Sequence, residues 1–529
     1  MKVITAKEAA ELITDNAVII GSTFGMCGVA EETLQAIEAR FLATGSPKAL
    51  TYTHAAGSGN FAPGKSRGED CLAHEGLIKR WVGSHLACSN ALSAMFDKVE
   101  GWNLPLGTLI HLYKEQARGV NFCYSKVGLG TFVDPRPGVG EGGKVTDLAR
   151  KSGEELVEHV NFQGEDWLVY KGLPITHALI RASYADEQGN ISFQKSSYKL
   201  EYLAVAQAAK ANGGTVIVEV EALVPAKSIH PKTVWIPEIY VDYVVVLKEP
   251  EKALYTPGNN PYTITTTGDL KAVVSQAFEP VPLDGTKAAV RRASMEIKPG
   301  QKCNFGIGIP QQIGSIIAEE GCSGFLTMIS ESGAIGGVPL VGGGFGSHFN
   351  VESLTDQGDH FNFFDYHGLD FGSFGLSEVD PTGGINTSMV SGVLKGVGGF
   401  MNISSAAKTA VILGSFTASG LKTSCKDGKL VIEQEGKIKK FVKKCPQLSF
   451  SCTESVKAGQ KLFYVTERAV FQGTTTGIKL IEIAPGIDLQ KHVLDQMEFK
   501  PEMPEGGPKL MPAELFQEKW GGLKAHWGV

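Results

Sequence analysis

The chain has 529 residues, of which 43% are hydrophobic and 20% charged, so most of it is expected to fold and there is material for more than one core. Fifty Lys and Arg stand against 56 Asp and Glu, a formal charge of −6 with a pI near 6.1, which argues against a nucleic-acid surface as the main business of the protein. No apolar run reaches the roughly 18–20 residues of a membrane span, and Met1–Ile4 leads into an amphipathic stretch rather than a signal peptide, so a soluble, cytoplasmic protein is expected.

Glycine is in surplus: 64 residues, against a usual share of roughly 7%, with only 24 Pro and no collagen-like period. Those glycines must serve turns with positive φ or close backbone approaches. Nine cysteines form no C-x-x-C pair and read as reduced thiols. The Asp- and His-rich stretch from Asp356 to Asp370, with His360 and His367, reads as a polar loop rim, and no metal site is assigned.

In chain order, apolar β-type runs at Val18–Ile20, Thr215–Val220, Tyr243–Leu247 and Thr409–Leu413 alternate with helical stretches at Glu31–Phe41, Tyr202–Ala211, Lys287–Glu296 and Gln311–Glu320. Strand and helix taking turns implies an α/β fold with largely parallel sheets. From Lys248 to Leu283 the sequence turns rich in Pro, Gly, Asn and Thr, which suggests a linker at 251–283 between an N-terminal domain, 1–250, and a C-terminal domain, 284–529.

The two halves resemble each other. Gly28-Val29-Ala30 before one helix matches Gly308-Ile309-Pro310 before another; Ala49–Gly57 matches Phe325–Gly333; Tyr184–Ile191 matches Glu378–Ile385. The first half carries roughly 80 more residues between its second and third landmarks. Two related open α/β domains are therefore expected. Where the first copy has Ala55, the second has Glu331, at the end of an apolar strand, where open α/β sheets bind ligands. Residues 331 to 346 hold seven glycines around that one carboxylate, which suits a large ligand whose reacting end must touch bare backbone. Gly306–Pro310, between a strand and a helix, and Gly396–Gly399 offer further backbone amides, although neither carries the full dinucleotide-binding glycine pattern. Lys437 to Lys444 alternate basic and apolar residues and read as a half-buried strand; Glu467-Arg468 reads equally as a structural ion pair or a substrate-facing one.

The stretch Ser330-Glu331-Ser332-Gly333-Ala334-Ile335-Gly336-Gly337 resembles the catalytic signature of class I coenzyme A transferases. Gly128–Arg136, His74–Arg80, Tyr464–Phe471 and Ile483–Gln490 resemble the single-chain propionate or acetate/3-ketoacid branch, in which the α and β subunits are fused. A departure is Tyr366-His367-Gly368, where relatives more often show three glycines. The resemblance implies a CoA-transferase/sugar-isomerase-like fold and a homodimer or homotetramer. It makes Glu331 the nucleophile of a ping-pong exchange of CoA between short-chain acyl-CoA thioesters and free acids (acetate, propionate, butyrate, 3-oxo acids), through a glutamyl-CoA thioester. CoA is then substrate and covalent intermediate, with no permanently bound cofactor, no nucleic-acid partner and no membrane partner. Gly398 and Gly399 are the candidate oxyanion donors. Gly306, Ile307, Gly308, Ile309 and Pro310, with Val397 and Met401, would line the CoA channel, and Lys422 would lie near the nucleotide phosphates. The competing readings are an acyl-CoA hydrolase on the same scaffold and a non-catalytic CoA or sugar-phosphate sensor.

Overall fold

A computed structural model describes residues 1–61, 67–256, 262–273 and 281–529. The chain forms two compact units: Met1–Ala272 with Ser330–Asn362 and Ser391–Asn402, and Val273–Ile329 with Phe363–Val390 and Ile403–Val529.

The first unit is built on an eight-stranded sheet in the order Lys2–Ile4, Tyr243–Val246, Thr215–Val220, His177–Arg181, Val18–Gly21, Leu50–His54, Ile78–Gly83, Glu100–Asn103, every pair parallel. Leu50–His54 and His177–Arg181 are buried at every position, as expected when both faces of a parallel sheet are covered. The helix Leu106–Ala117 packs on Tyr202–Ala211.

The second unit carries an eight-stranded sheet ordered Thr327–Met328, Lys302–Phe305, Phe371–Gly375, Thr409–Leu413, Lys461–Val465, Ala469–Gly473, Ile478–Ile483, Lys509–Leu510, parallel through its first five strands. Its next two pairings are antiparallel and its last parallel. Helix Gly285–Ser294 starts at an Asp284 N-cap whose carboxylate accepts from the Lys287 amide at 2.8 Å.

The strand order repeats between the units. Tyr243–Val246, Thr215–Val220, His177–Arg181, Val18–Gly21 and Leu50–His54 stand in the same sequence of neighbours as Lys461–Val465, Thr409–Leu413, Phe371–Gly375, Lys302–Phe305 and Thr327–Met328. The additional residues of the first half supply Ile78–Gly83 and Glu100–Asn103, which prolong the sheet, and a separate three-stranded sheet of Phe122–Ser125, Glu165–Lys171 and Val157–Phe162.

Of the 251–283 stretch, residues 257–261 and 274–280 lie outside the described residues. Much of the remainder is packed rather than strung out: the Arg181 guanidinium sits 5.1 Å from the Tyr255 ring centroid, and Thr266 and Ser197 hydroxyls meet at 2.7 Å. Within Lys437–Lys444 the expected continuous strand is broken in two: Ile438–Lys439 pairs with Thr417–Ala418, and Phe441 makes an isolated parallel bridge with Val379. The Phe441 ring packs inward, 4.6 Å from Phe416 and 4.9 Å from Phe471. No helix of the described residues is long and apolar enough to cross a membrane.

The paired landmarks Gly28 and Gly308 both have positive φ, 79° and 88°. A Cβ at Gly28 would lie 2.2 Å from the Ser22 carbonyl oxygen, whereas one at Gly308 meets nothing within 4 Å. Gly308→Ala should therefore meet no steric clash and cost only the strain of a backbone, φ 88° and ψ −130°, that side-chain-bearing residues rarely adopt, about 1–3 kcal/mol, and Gly28→Ala distinctly more. Denaturant midpoints of the two variants check the order.

Candidate active site

Glu331 lies in the first unit, three residues in sequence beyond the strand Thr327–Met328. The turn that presents it closes through Gly333 N–H to the Ser330 carbonyl (3.1 Å) and Ser330 N–H to the Ala334 carbonyl (2.9 Å). Gly333 has φ +94°, and a Cβ there would stand 2.1 Å from the Thr355 carbonyl oxygen, so no other residue fits. The Ser332 hydroxyl donates to the Gly346 carbonyl, and Gln357 Nε2 donates to the Glu331 carbonyl at 3.2 Å.

Two buried histidines brace the same turn. His348 Nδ1 donates to the Gly336 carbonyl at 2.6 Å, which leaves Nε2 to accept the Ser330 hydroxyl at 2.5 Å. Burial pushes the pKa of His348 down to about 4, against the opposing bond to Gly336. His360 is likewise lowered to about 4 by burial, opposed by its bond to the Ser330 backbone. Both rings are neutral at pH 7.

The Glu331 side chain is half-buried, and loss of water pushes its pKa up to about 7. The opposing influence is one backbone donor, the N–H of Gly399. Gly399 is carried by a turn stapled to the first-half segment around Ser84 and Asn103. Val397 N–H donates to Asn103 Oδ1 at 3.2 Å, Gly398 N–H to the Ser84 carbonyl at 2.9 Å, and Leu106 N–H to the Gly398 carbonyl at 3.1 Å. Asn103 Nδ2 in turn donates to the Ser84 and Gly83 carbonyls at 2.7 and 3.0 Å. The two glycines expected to act together are thus separated: the Gly398 N–H is spent on Ser84, and that of Gly399 is the one bonded to the carboxylate.

Val397 and Met401 are buried in the same unit. Gly306–Pro310 belong to the second unit, between Lys302–Phe305 and helix Gln312–Glu319. Gly306 N–H donates to the Ser373 carbonyl (2.8 Å) and Gly308 N–H to Gln311 Oε1 (3.2 Å), so these two amides are engaged within the chain, while Ile307 is 59% exposed. Ile309 opens a short 3₁₀ turn with Pro310, which is buried. Lys422 is exposed on the two-stranded ribbon Lys422–Lys426 and Lys429–Gln434. Glu467 and Arg468 form a buried ion pair at 2.7 Å; Glu467 also accepts the Phe416 amide and Arg468 also holds Glu435, which makes the pair structural. Cys303 and Cys322 are buried and their thiols are raised above the ordinary range by desolvation, which disfavours a thiolate at either. Among the described residues no group of three or more His, Cys, Asp or Glu could hold a metal ion.

Ser84, Asn103, Gln357, His348 and His360 escaped the reading of the sequence as site residues. Their roles rest on backbone carbonyls contributed by distant segments, for which a single sequence carries no signal; His348 lies two residues past the glycine-rich stretch, and Gln357 and His360 fall within the Asp356–Asp370 stretch expected to be a loop rim.

A half-buried carboxylate addressed by one backbone amide, in a chain of two α/β units, is an arrangement suited to group exchange at an acyl carbon. The chain belongs to the coenzyme A transferase family, in its class I single-chain form with fused subunits. The Coenzyme A transferase family model matches residues 3–247. The caffeate CoA-transferase of Acetobacterium woodii is 40% identical over 100% of this chain and 99% of its own length. The acetate CoA-transferase YdiF of Escherichia coli K12 is 36% identical, covering 97% and 95%. The crystal structure of the YdiF apoenzyme from Escherichia coli O157:H7 superposes with a TM-score of 0.90 at 34% identity, over 98% of this chain and 97% of that one, and its thioester complex with CoA does so equally well. This protein is a CoA-transferase.

The raised Glu331 carboxyl has a consequence for stability. With a folded pKa near 7 and an ordinary value of 4.5, the native state holds the extra proton between those values, so this group makes stability fall as pH rises through that window. Glu331→Gln removes the titration. Its gain in melting temperature over wild type should be small at pH 4.5, grow up to pH 7 and level off above, as read by calorimetry across pH.

Proposed function

We propose that Glu331 is the nucleophile through which CoA passes from an acyl-CoA donor to a small carboxylic acid. The observation that carries this reading is the half-buried carboxylate with a single backbone donor, Gly399 N–H, bonded to it. A carboxylate in water is a poor nucleophile; one stripped of most of its water and kept ionisable near neutrality is better suited to attack.

In the first step a Glu331 oxygen adds to the thioester carbonyl, the C–S bond breaks, and an acyl-glutamyl anhydride and CoA thiolate result. The thiolate then adds to the glutamyl carbonyl, the bond to the acyl oxygen breaks, and the acid leaves as its carboxylate with CoA held on Glu331 as a thioester. The acceptor acid runs the two steps in reverse. Each addition creates an oxyanion, and the Gly399 amide is the donor available to it; removing such a donor costs roughly 3–4 kcal/mol in the transition state. Thioester is exchanged for thioester, so the sequence balances without ATP.

Gly306–Pro310, Val397 and Met401 are proposed to line the CoA channel, and Lys422 to approach the nucleotide phosphates. The acids proposed are short-chain ones, with acetate first because YdiF is an acetate CoA-transferase. The aromatic acid of the Acetobacterium woodii relative belongs in the same test panel. The protein is further proposed to be a cytoplasmic homodimer or homotetramer.

Incubation with acetyl-CoA and no acceptor should add the mass of CoA to the peptide carrying Glu331, and Glu331→Ala should abolish both adduct and exchange. An adduct on a cysteine, or steady release of CoA without acceptor acid, overturns the assignment. The acidic limb of kcat/KM for acyl-CoA should rise with pH through about 7, because the protonated carboxyl cannot attack.

A further inference from the structure

The segment that staples the Gly396–Gly399 turn also carries His85, directly after Ser84, and the backbones of His85 and Gly396 pair in an antiparallel bridge. The ring is held by shape. A Cβ at Gly57 would stand 3.1 Å from His85 Cδ2 and 2.6 Å from Cys88 Sγ, so bare backbone at Gly57 makes room for it, and Phe61 lies on another side with ring centroids 6.1 Å apart. Neither ring nitrogen of His85 has a hydrogen-bond partner among the described residues, in contrast with His348, which has a partner on each.

What the ring faces is informative. A Cβ built on Gly398 would find one atom within 4 Å among the described residues, His85 Nδ1, at 3.8 Å. The space over Gly398 is therefore open and addressed by an imidazole nitrogen, while the next residue along, Gly399, sends its N–H to the Glu331 carboxylate. A group the size of a carboxylate placed there would stand beside His85 Nδ1, one residue along the chain from the Gly399 amide that bonds Glu331. Burial drives the His85 pKa to about 4, with Glu69 acting against the shift and His54 and Lys395 with it, so at pH 7 the ring is neutral and has one N–H to give.

We propose that His85 binds the acid substrate, its Nδ1–H donating to the carboxylate oxygen that does not attack, and so holds the other oxygen toward the glutamyl carbonyl of Glu331. The assignment rests on the reading of Glu331 as the nucleophile. It gives the first half of the chain a direct part in selecting the acid. A free carboxylate needs a donor for its idle oxygen once it leaves water, and a neutral donor supplies one without holding the product as a full cation would.

The test compares His85→Leu, which keeps bulk and loses the donor, with His85→Asn, whose amide nitrogen falls near the position of Nδ1. Propionyl-CoA is the donor and acetate the acceptor. In His85→Leu, kcat/KM for acetate should fall about 10- to 100-fold, the usual worth of one hydrogen bond to a charged group. The Kd for free CoA should stay within about twofold, and His85→Asn should recover a substantial part of the loss. A packing role alone predicts otherwise: Asn no better than Leu, or CoA affinity and melting temperature falling together with acetate turnover. Either result, or unchanged acetate kinetics in His85→Leu, overturns the proposal. The CoA adduct is followed in parallel. If wild type forms none on Glu331, the reading of Glu331 fails and this one with it. If wild type and His85→Leu both form it and acetate kinetics do not change, only the role of His85 is lost.

Discussion

The contact between the Gly399 N–H and the Glu331 carboxylate is the one on which the proposed chemistry turns, because it sits between two opposed demands. Desolvation makes the carboxylate reactive but drives it toward its protonated, inert form; a donor restores ionisation but, in excess, quenches the nucleophile. One backbone amide is a restrained compromise, and it leaves the pKa near 7 rather than at either extreme. The amide can be so placed because its turn is anchored by three hydrogen bonds at two successive residues: Val397 on Asn103, Gly398 on Ser84, and the Gly398 carbonyl under Leu106. Asn103 is the centre of that anchor, using its side-chain oxygen for Val397 and its amide nitrogen for the carbonyls of Gly83 and Ser84. Losing it would strand several buried polar groups, at roughly 1–3 kcal/mol each.

The repeated strand order carries an ancestral symmetry, and the site shows how the two copies have parted. The strand Leu50–His54 ends at Ala55, the position that corresponds to Glu331. With no carboxylate to present, that end has become scaffold: the Ala55 carbonyl accepts the Ser84 hydroxyl, and Gly57 clears space for the His85 ring. One copy carries Glu331 and the other the segment that holds the Gly399 amide against it. Nothing in the architecture requires both copies to keep the chemistry, and a second buried carboxylate in the same place would raise the pKa of the first.

Local order was largely legible before the structure. Helix Tyr202–Ala211 and the strands Thr215–Val220 and Thr409–Leu413 fall where hydrophobic periodicity puts them, since short-range pattern and burial agree there. Glu331 stood out because an internal repeat offered a comparison the chain could make with itself. The failures share one cause. The Lys437–Lys444 run alternates like one continuous strand, but its start pairs with Thr417–Ala418 while Phe441 bridges the distant Val379 and sends its ring to Phe416 and Phe471. Gly398 and Gly399 look interchangeable in sequence, and it takes the Ser84 carbonyl, more than 300 residues away, to separate them. His85 carries no motif at all; its meaning comes from two glycines, Gly57 and Gly398, that are remote from each other in the chain.

The groups identified on the turn that carries Glu331 are neutral rather than cationic: the Gly399 amide on the carboxylate, the Gln357 amide on the Glu331 carbonyl, and the desolvated rings of His348 and His360. That uniformity has a kinetic logic. An arginine or lysine against the carboxylate would lower its pKa by one to three units and leave it ionised but sluggish, and the same charge would hold the departing acid. In the exchange proposed, acid and glutamyl carboxylate each serve in turn as nucleophile and leaving group, so neither can be bound much more tightly than the other. Dipoles fixed in place by the fold stabilise the transient oxyanion while favouring neither ground state strongly. Bare backbone serves the same end indirectly: Gly333 lets the turn that carries Glu331 close against the Thr355 carbonyl, and Gly398 ties the neighbouring Gly399 amide in place through its own bond to Ser84.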